Sequence, residues 1–255
     1  MDYLTKKFDW DDPNVVSLID ELSFWSSYFT KLLLDNIEMK PNERILDLAF
    51  GTGVPTMELA HRLGNSCQIV GLDNWEVALN RANWKIQKYG LENVELILGD
   101  GANMPFENAS FDKVISNLGV NNFEKPNESV AECYRVLKRG GKMILTTNLV
   151  GHFREFYSIF ESVLREIKRP DLIPKMKEQD AHRGTVESVR ELLENNGFSI
   201  MKIVKDKFQF RYLNGTAFFN HSLTTIGFLD GWRSVLEPEI EKEVFSKIEE
   251  KLNAQ

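Results

Sequence analysis

The stretch from Ile45 to Gly53 reads ILDLAFGTG, and it decides how the rest of the chain is interpreted. An apolar run containing Asp47 passes into a turn that holds Gly51 and Gly53, and a segment of helical character follows from Pro55 to Leu63. Because glycine has no Cβ, a strand that ends at such a turn before a helix lets a ligand approach the backbone. The stretch therefore predicts a binding site for a nucleotide-type cofactor.

Short apolar segments alternate with helical segments from residue 41 to residue 150, which is typical of βαβ units. The strands predicted there are Arg44–Leu48, Cys67–Leu72, Val94–Leu98, Phe111–Asn117 and Lys142–Thr147. Two further strands are expected at Phe198–Lys205 and Lys207–Leu213, separated only by Asp206. The predicted fold class is α/β: a doubly wound, mostly parallel seven-stranded sheet with helices on both faces, one antiparallel edge strand, and a helical N-terminal and C-terminal cap.

A chain of 255 residues, with 42% hydrophobic and 27% charged residues, is typical of one large soluble domain. We expect residues 1–255 to form a single domain. In it, residues 1–40 are a helical lid rich in aromatic side chains, residues 41–150 are a cofactor-binding core, and residues 151–255 supply the sheet edge and a substrate cap.

Charge and cysteine content argue against several classes of protein. The net charge of −7 disfavours sequence-independent binding to nucleic acid, which needs many phosphate-neutralising cations. Cys67 and Cys133 lie far apart and show no metal-binding spacing, so neither a disulfide framework nor a metal site is expected. No apolar run is long enough to span a bilayer, and the predicted location is the cytoplasm.

Polar residues follow the other predicted strands at the end where open α/β sheets bind their ligands. Asp73 ends the second strand, and an acidic residue there commonly accepts hydrogen bonds from ribose hydroxyls. Asn74 follows it, the sequence Asp100-Gly101-Ala102 ends the third strand, and Asn117 ends the fourth. Taken singly, these residues also suit plain structural roles, such as Asp73 capping the next helix.

Two common nucleotide sites do not match this arrangement. The sequence after Gly53 is Val54-Pro55-Thr56, so the third glycine of a dinucleotide fingerprint is missing, as is the Gly-Lys-Ser/Thr of a P-loop. Asp47 would repel a pyrophosphate, whereas it suits a cationic ligand that carries an amino group. A nicotinamide-dependent oxidoreductase is therefore disfavoured.

The residues resemble the class I S-adenosylmethionine-dependent methyltransferases. Their first motif, acidic-x-Gly-x-Gly-x-Gly, appears here as DLAFGTG from Asp47 to Gly53, with Ala49 in place of the first glycine. Stretches similar to the later motifs are GDGANMPF at 99–106, FDKVISN at 111–117 and RVLKRGG at 135–141. The resemblance extends over about residues 40–205 and is greatest to the branch that methylates small molecules, including the quinone-biosynthesis type.

This resemblance implies S-adenosylmethionine as the cofactor. The cofactor-binding residues that it and the strand ends suggest are Asp47, Ala49, Gly51, Gly53, Asp73, Asn74, Asp100, Gly101, Ala102 and Asn117. It implies that Asp73 binds the ribose and that Asp100 faces the adenine amino group.

The acceptor site is expected outside the cofactor core. Its candidate wall residues are Trp25, Tyr28, Asn121, Phe218, Phe219 and Trp232, which also suit plain packing of the cap. His152 and His221 are candidate general bases, and a packing role is the alternative for each. The sequence after Asn117 lacks the Pro-Pro-aromatic motif of amino-methylating DNA enzymes, so nucleic acid is not the predicted substrate.

The predicted function is methyl transfer from S-adenosylmethionine to a small-molecule acceptor by direct in-line displacement. The alternative is a catalytically silent S-adenosylmethionine-binding sensor or partner subunit. Intact cofactor motifs do not separate the two, whereas formation of S-adenosylhomocysteine does. The sequence leaves the acceptor and the oligomeric state open.

Overall fold

A computed structural model of the protein describes residues 2–254. The strands within these residues are β1 (Arg44–Leu48), β2 (Gln68–Asp73), β3 (Val94–Leu98), β4 (Phe111–Asn117) and β5 (Leu137–Thr146). The helices are α1 (Pro13–Glu21), α2 (Phe24–Asn36), α3 (Val54–Leu63), α4 (Glu76–Tyr89), α5 (Pro126–Val136), α6 (Arg154–Glu166), α7 (Ile173–Ala181), α8 (Val186–Asn195), α9 (Gly215–Asn220), α10 (Ser222–Gly227), α11 (Leu229–Arg233) and α12 (Pro238–Asn253).

Contacts between Cα atoms divide the chain into two compact units. The core unit consists of residues 10–148 and 185–202 and holds the whole sheet. Among the described residues, the helical unit consists of residues 2–9, 149–184 and 203–254.

The sheet of the core unit has five strands in the order β3-β2-β1-β4-β5, and every adjacent pair is parallel. Asp47 pairs with Gly71 of β2 on one side and with Ile115 of β4 on the other, so β1 is the central strand. Reversal of the strand order on either side of β1 places the crevice between β1 and β4 at the end where such sheets bind ligands.

The prediction of seven strands with an antiparallel edge is wrong. Within the described residues, the segment from Phe198 to Leu213 forms no strand ladder, although its apolar and polar residues alternate. Met201 and Leu213 leave 80% and 92% of their surface exposed, so this alternation does not build a buried sheet face. The β5 strand also begins at Leu137 rather than Lys142, because Leu137 already pairs with Phe111 of β4. A register irregularity separates that pair from the next one, Lys113 with Lys142.

Alternating side chains of the strands form two apolar layers, one on each face of the sheet. Ile45 of β1 belongs to a cluster with Leu33 of α2 and Leu59 of α3. Leu46 belongs to another cluster, with Val136 of α5. Helices therefore cover both faces of the sheet, as the sequence predicts.

The helical unit is held together by packed aromatic rings. Phe156 of α6 stacks on Trp232 of α11 with ring centroids 3.9 Å apart, and the Trp232 indole N–H donates to the Tyr157 hydroxyl over 3.2 Å. Tyr3 stacks on Phe219 with ring centroids 4.8 Å apart. Within residues 2–254, no helix has both the length and the apolar character needed to cross a membrane.

Candidate functional site

The turn between β1 and α3 is built from residues with left-handed backbone. The φ angles are +58° at Ala49, +56° at Gly51 and +83° at Gly53. A Cβ added to Gly53 would meet the Met57 side chain at 3.0 Å, whereas a Cβ at Gly51 would meet no protein atom within 4 Å. The backbone at Gly51 is therefore open to a ligand, while Gly53 lets the turn pack against α3.

Asp73, at the end of β2, fixes this turn. Its Oδ2 accepts the N–H of Gly51 over 2.7 Å, and its Oδ1 accepts the N–H of Trp75 over 2.9 Å. Burial raises the pKa of Asp73, and the backbone N–H groups that it accepts partly offset this effect. One carboxylate thus joins the glycine turn to the start of α4, and each of its oxygens retains a lone pair for a ligand hydroxyl.

Asp47 lies under the turn and is completely buried. Its Oδ2 accepts the hydroxyl of Thr56 over 2.6 Å, while its Oδ1 has no hydrogen-bond partner among the described residues. Burial raises the pKa of Asp47 to about 7, and the nearby charge of Asp73 adds to the rise. A buried acceptor without a partner is costly, so a ligand that brings a proton donor or a positive charge would relieve it.

The raised pKa of Asp47 makes the stability of the protein dependent on pH. Between pH 3.8, its ordinary pKa, and about 7, the folded protein holds a proton that the unfolded chain has released, so the free energy of unfolding falls as pH rises. We expect Asp47→Asn to remove this pH dependence. The free energy of unfolding of the variant, relative to wild type, should then be about 2–3 kcal/mol higher at about pH 8 than at about pH 5. Urea unfolding of both proteins at the two pH values measures the gain, and a difference that does not change with pH would contradict it.

The third and fourth strand ends complete the site. Asp100 after β3 is exposed, and its Oδ1 accepts the N–H of Ala102 over 2.8 Å. Gly119 packs so closely after β4 that an added Cβ would lie 2.9 Å from the Cβ of Ala49. The turns after β1 and β4 therefore touch, as expected for neighbouring parallel strands.

Asn117, the last residue of β4, joins three elements. Its amide Nδ2 donates to the Ser26 carbonyl over 3.2 Å and to the Thr30 hydroxyl over 3.1 Å, both on α2. Its Oδ1 accepts the hydroxyl of Thr146 of β5 over 2.6 Å. The side chain is thus already engaged in holding α2 against the sheet, and a role in binding the cofactor remains a prediction.

These turns line a cavity of about 580 Å³ in the core unit. Seven residues predicted to bind the cofactor lie on its wall: Ala49, Gly51, Asp73, Asn74, Asp100, Gly101 and Asn117. Asp47, Gly53 and Ala102 are not among its lining residues, and their roles in binding the cofactor remain predictions. The strand ends therefore converge on one crevice.

Sequence reasoning missed several residues of the wall. They include Ser26, Thr52, Trp75, Gly119, Phe123, Lys125 and Ser129. Trp75 and Gly119 each lie two residues after a predicted strand end, Asp73 and Asn117, and this position could have indicated that they line the site. Ser26 of α2 and Ser129 of α5 carry no such signal, because only the folded chain brings their helices to the cavity.

Helix α1 is attached to the glycine turn through Asp20. The Asp20 carboxylate lies 2.9 Å from Arg81 and 2.6 Å from Lys85, both on α4. Although burial opposes it, hydrogen bonds from Lys85, Arg81 and Thr52 lower the pKa of Asp20, so the residue is ionised. The neighbouring Ile19 lines the cavity, which makes α1 part of the site.

The predicted acceptor residues of the core unit do not line this cavity. Trp25 and Tyr28 pack against Phe29 of their own helix, with ring centroids 5.4 and 6.2 Å away. Asn121 donates to the side chain and carbonyl of Asn148 over 2.8 and 3.2 Å.

The remaining candidates lie in the helical unit. Phe218, Phe219 and Trp232 are buried in its aromatic cluster, where Phe218 and Trp232 stack with centroids 5.8 Å apart. The Nδ1 of His221 accepts the N–H of Leu223 over 3.2 Å and so caps α10. His152 is buried beside Asp180, and a catalytic role for either histidine remains a prediction.

The cavity fits the chemistry of S-adenosylmethionine. Its volume is within the range of sites for small ligands. Its wall offers an open glycine backbone and the carboxylates of Asp73 and Asp100, and the buried Asp47 Oδ1 beneath it lacks a donor. A nucleoside with hydroxyls and an amino group, carrying a positive sulfur, matches these acceptors. Within residues 2–254, no three His, Cys, Asp or Glu residues form a group suited to a metal ion.

The fold and this crevice define the class I S-adenosylmethionine-dependent methyltransferases. A family model described as a methyltransferase domain matches residues 39–207, and the chain belongs to that family. The predicted class, enzyme type and cofactor are thereby confirmed.

Two curated relatives show which members it is similar to. A demethylmenaquinone methyltransferase from Lactobacillus johnsonii is 28% identical over 201 residues, which are 75% of this chain and 80% of that protein. A demethylmenaquinone methyltransferase from Bacillus cytotoxicus is 35% identical over 128 residues, which are 49% of this chain and 54% of that protein. With the second relative, the match spans about half the length of the curated protein.

Solved structures support the fold. The YcgJ protein from Bacillus subtilis aligns with a TM-score of 0.59 at 17% identity, covering 85% of this chain and 88% of that chain. A proposed methyltransferase from Bacillus halodurans aligns with a TM-score of 0.56 at 24% identity, covering 84% and 87%.

Proposed function

We propose that this protein transfers the methyl group of S-adenosylmethionine to a small aromatic acceptor of the quinol type by direct in-line displacement. Two relatives that it matches are demethylmenaquinone methyltransferases, and this supports a quinol acceptor. The observation that carries the proposal is the convergence of the β1, β2, β3 and β4 ends on one cavity.

In this proposal the residues of the core unit bind and orient the cofactor. When bound, S-adenosylmethionine supplies a methyl group already activated by a positive sulfur. Asp73 accepts the ribose hydroxyls, the open backbone at Gly51 lies along the ligand, and Asp47 offsets positive charge from beneath. The chain's own contribution to rate is then positioning and exclusion of water.

Bound there, the cofactor would supply a methyl group whose bond to sulfur breaks as the bond to the acceptor forms, with the electron pair left on sulfur. The acceptor would then lose one proton to a base or to water. His152 and His221 stay candidates for that base. Burial lowers the pKa of His152 to about 4, so its ring is neutral at pH 7 but is a weak proton acceptor there.

Turnover with a reduced quinone tests the proposal. We expect the purified chain, given S-adenosylmethionine and a chemically reduced demethylmenaquinone, to form S-adenosylhomocysteine and the methylated quinol in equal amounts, as measured by mass spectrometry. A Gly51→Val variant is the negative control, because it should not bind the cofactor. Cofactor binding without product across a panel of reduced quinones would favour a silent binding protein, and absence of cofactor binding would contradict both functions.

A further inference from the structure

The helical unit contains a polar cluster inside its aromatic packing, formed by His152, Tyr157, Asp180 and Arg183. Two backbone contacts bring its two chain segments together. The N–H of Val150 donates to the Gly184 carbonyl over 2.9 Å, and the N–H of Gly151 donates to Asp180 Oδ1 over 3.4 Å. These contacts bring His152 into the neighbourhood of Asp180 and Arg183.

His152 brings an unsatisfied nitrogen to this cluster. Its side chain is 8% exposed, and its buried Nδ1 has no hydrogen-bond partner among the described residues. The nearest carboxylate oxygen, Asp180 Oδ1, lies 3.6 Å away, beyond a normal hydrogen bond. In the tautomer that carries its proton on Nδ1, this buried nitrogen would gain from a ligand that accepts a hydrogen bond.

Arg183 brings a positive charge that has no carboxylate partner. Its guanidinium lies over the ring of Phe228, 5.7 Å from the centroid, and no carboxylate of the described residues forms an ion pair with it. Four other arginines of the helical unit do have such partners: Arg154, Arg165, Arg169 and Arg233. Burial lowers the pKa of Arg183, so its charge is partly removed from water and not offset by a salt bridge.

Both groups face the same aromatic ring. The His152 and Phe228 rings have centroids 5.7 Å apart, and the His152 and Tyr157 rings 5.9 Å apart. Tyr157 and Asp180 also line a neighbouring cavity of about 280 Å³, whose wall carries the cationic Arg154 and Lys177 and the anionic Glu161. His152 and Arg183 are not on that wall. Through Tyr157 and Asp180, which both lie beside His152, this cavity adjoins the cluster that holds the unpaired guanidinium and ring nitrogen.

We propose that Arg183 and His152 form a binding site for a small aromatic carboxylate. Arginine presents two parallel donors that match a carboxylate, and the rings of Tyr157 and Phe228 suit the aromatic body of such a ligand. Asp180 carries the opposing charge, so it directs the ligand carboxylate toward Arg183 and away from itself. This inference goes beyond the proposed function, because binding needs neither the cofactor nor turnover.

Calorimetric titration of the full chain, without cofactor, tests the site with 2-naphthoate and its uncharged counterpart 2-naphthamide as probes. We expect wild type to bind the naphthoate at least about tenfold more tightly than the amide, the effect of one hydrogen bond to a charged group. Arg183→Gln should abolish this preference. Arg211→Gln is the matched control, since it removes the same charge from an exposed position of the same unit and should leave the preference unchanged.

Equal binding of the two probes, absence of naphthoate binding, or a preference that survives in Arg183→Gln would each overturn the proposal. Circular dichroism checks that the variants fold. Should Arg183→Gln fail to fold, Arg183→Lys keeps the charge but loses the forked donors, and an unchanged preference and affinity in that variant would equally overturn it. Because S-adenosylmethionine is absent throughout, these results test ligand binding separately from cofactor binding and turnover.

Discussion

Gly51→Val is expected to abolish binding of S-adenosylmethionine. The backbone at Gly51 has φ +56°, and an added side chain would extend into space that no protein atom occupies, at the wall of the 580 Å³ cavity. A valine there would occupy the volume where the cofactor lies, and a β-branched residue strains this backbone region. Calorimetric titration should show no binding at cofactor concentrations that saturate wild type.

The matched control for this variant is Gly90→Val. Gly90 closes α4 with φ +65°, and a Cβ there also meets no atom within 4 Å, but the residue does not line the cavity. The two variants should therefore lose similar stability from backbone strain, while only Gly51→Val loses the cofactor. Normal binding by a folded Gly51→Val protein would show that the turn does not hold the ligand.

Asp73→Ala is expected to weaken binding of S-adenosylmethionine by about 1–3 kcal/mol, the cost of leaving hydroxyl partners without an acceptor. The same change removes the acceptor of the Gly51 and Trp75 N–H groups. We therefore expect the free energy of unfolding to fall as well, by about 1–2 kcal/mol. Titration calorimetry measures the first effect and urea unfolding the second.

Asp112→Ala separates these two effects. Asp112 also accepts a backbone N–H, that of Arg44 over 2.9 Å, but it lies at the start of β4, at the other end of the strand from Asn117. Its loss should lower stability and leave cofactor affinity unchanged. If Asp73→Ala bound the cofactor as tightly as Asp112→Ala does, the assignment of Asp73 to the ribose would be wrong.

The cofactor-binding residues could be predicted from the sequence because each of them lies at or just after the end of its own strand. Parallel strands place their carboxyl ends at one edge of a sheet, so Asp47, Asp73 and Asp100 could be brought together from strand positions alone. The turn glycines follow from the same pattern. What the pattern misses is that Asp73 also holds the Gly51 N–H.

Long-range contacts were beyond sequence reasoning. The amide of Asn117 is engaged by Ser26 and Thr30, which lie 91 and 87 positions away in the chain. No local sequence pattern predicts that contact, and Ser26 was missed as a wall residue of the cavity for the same reason. The late strands failed for another reason: alternation in Phe198–Leu213 predicts an extended chain but does not specify a partner edge.

The order of the strands also sets the order in which the sheet is completed during synthesis. The central strand β1 is made first, and β2 can pair with it as soon as α3 has been formed. The other edge of β1 pairs with β4, through contacts such as that between Ile45 and Lys113, and β4 is synthesised later. That edge of β1 therefore has no partner strand until β4 has been synthesised, so completing the sheet depends on residues far along the chain.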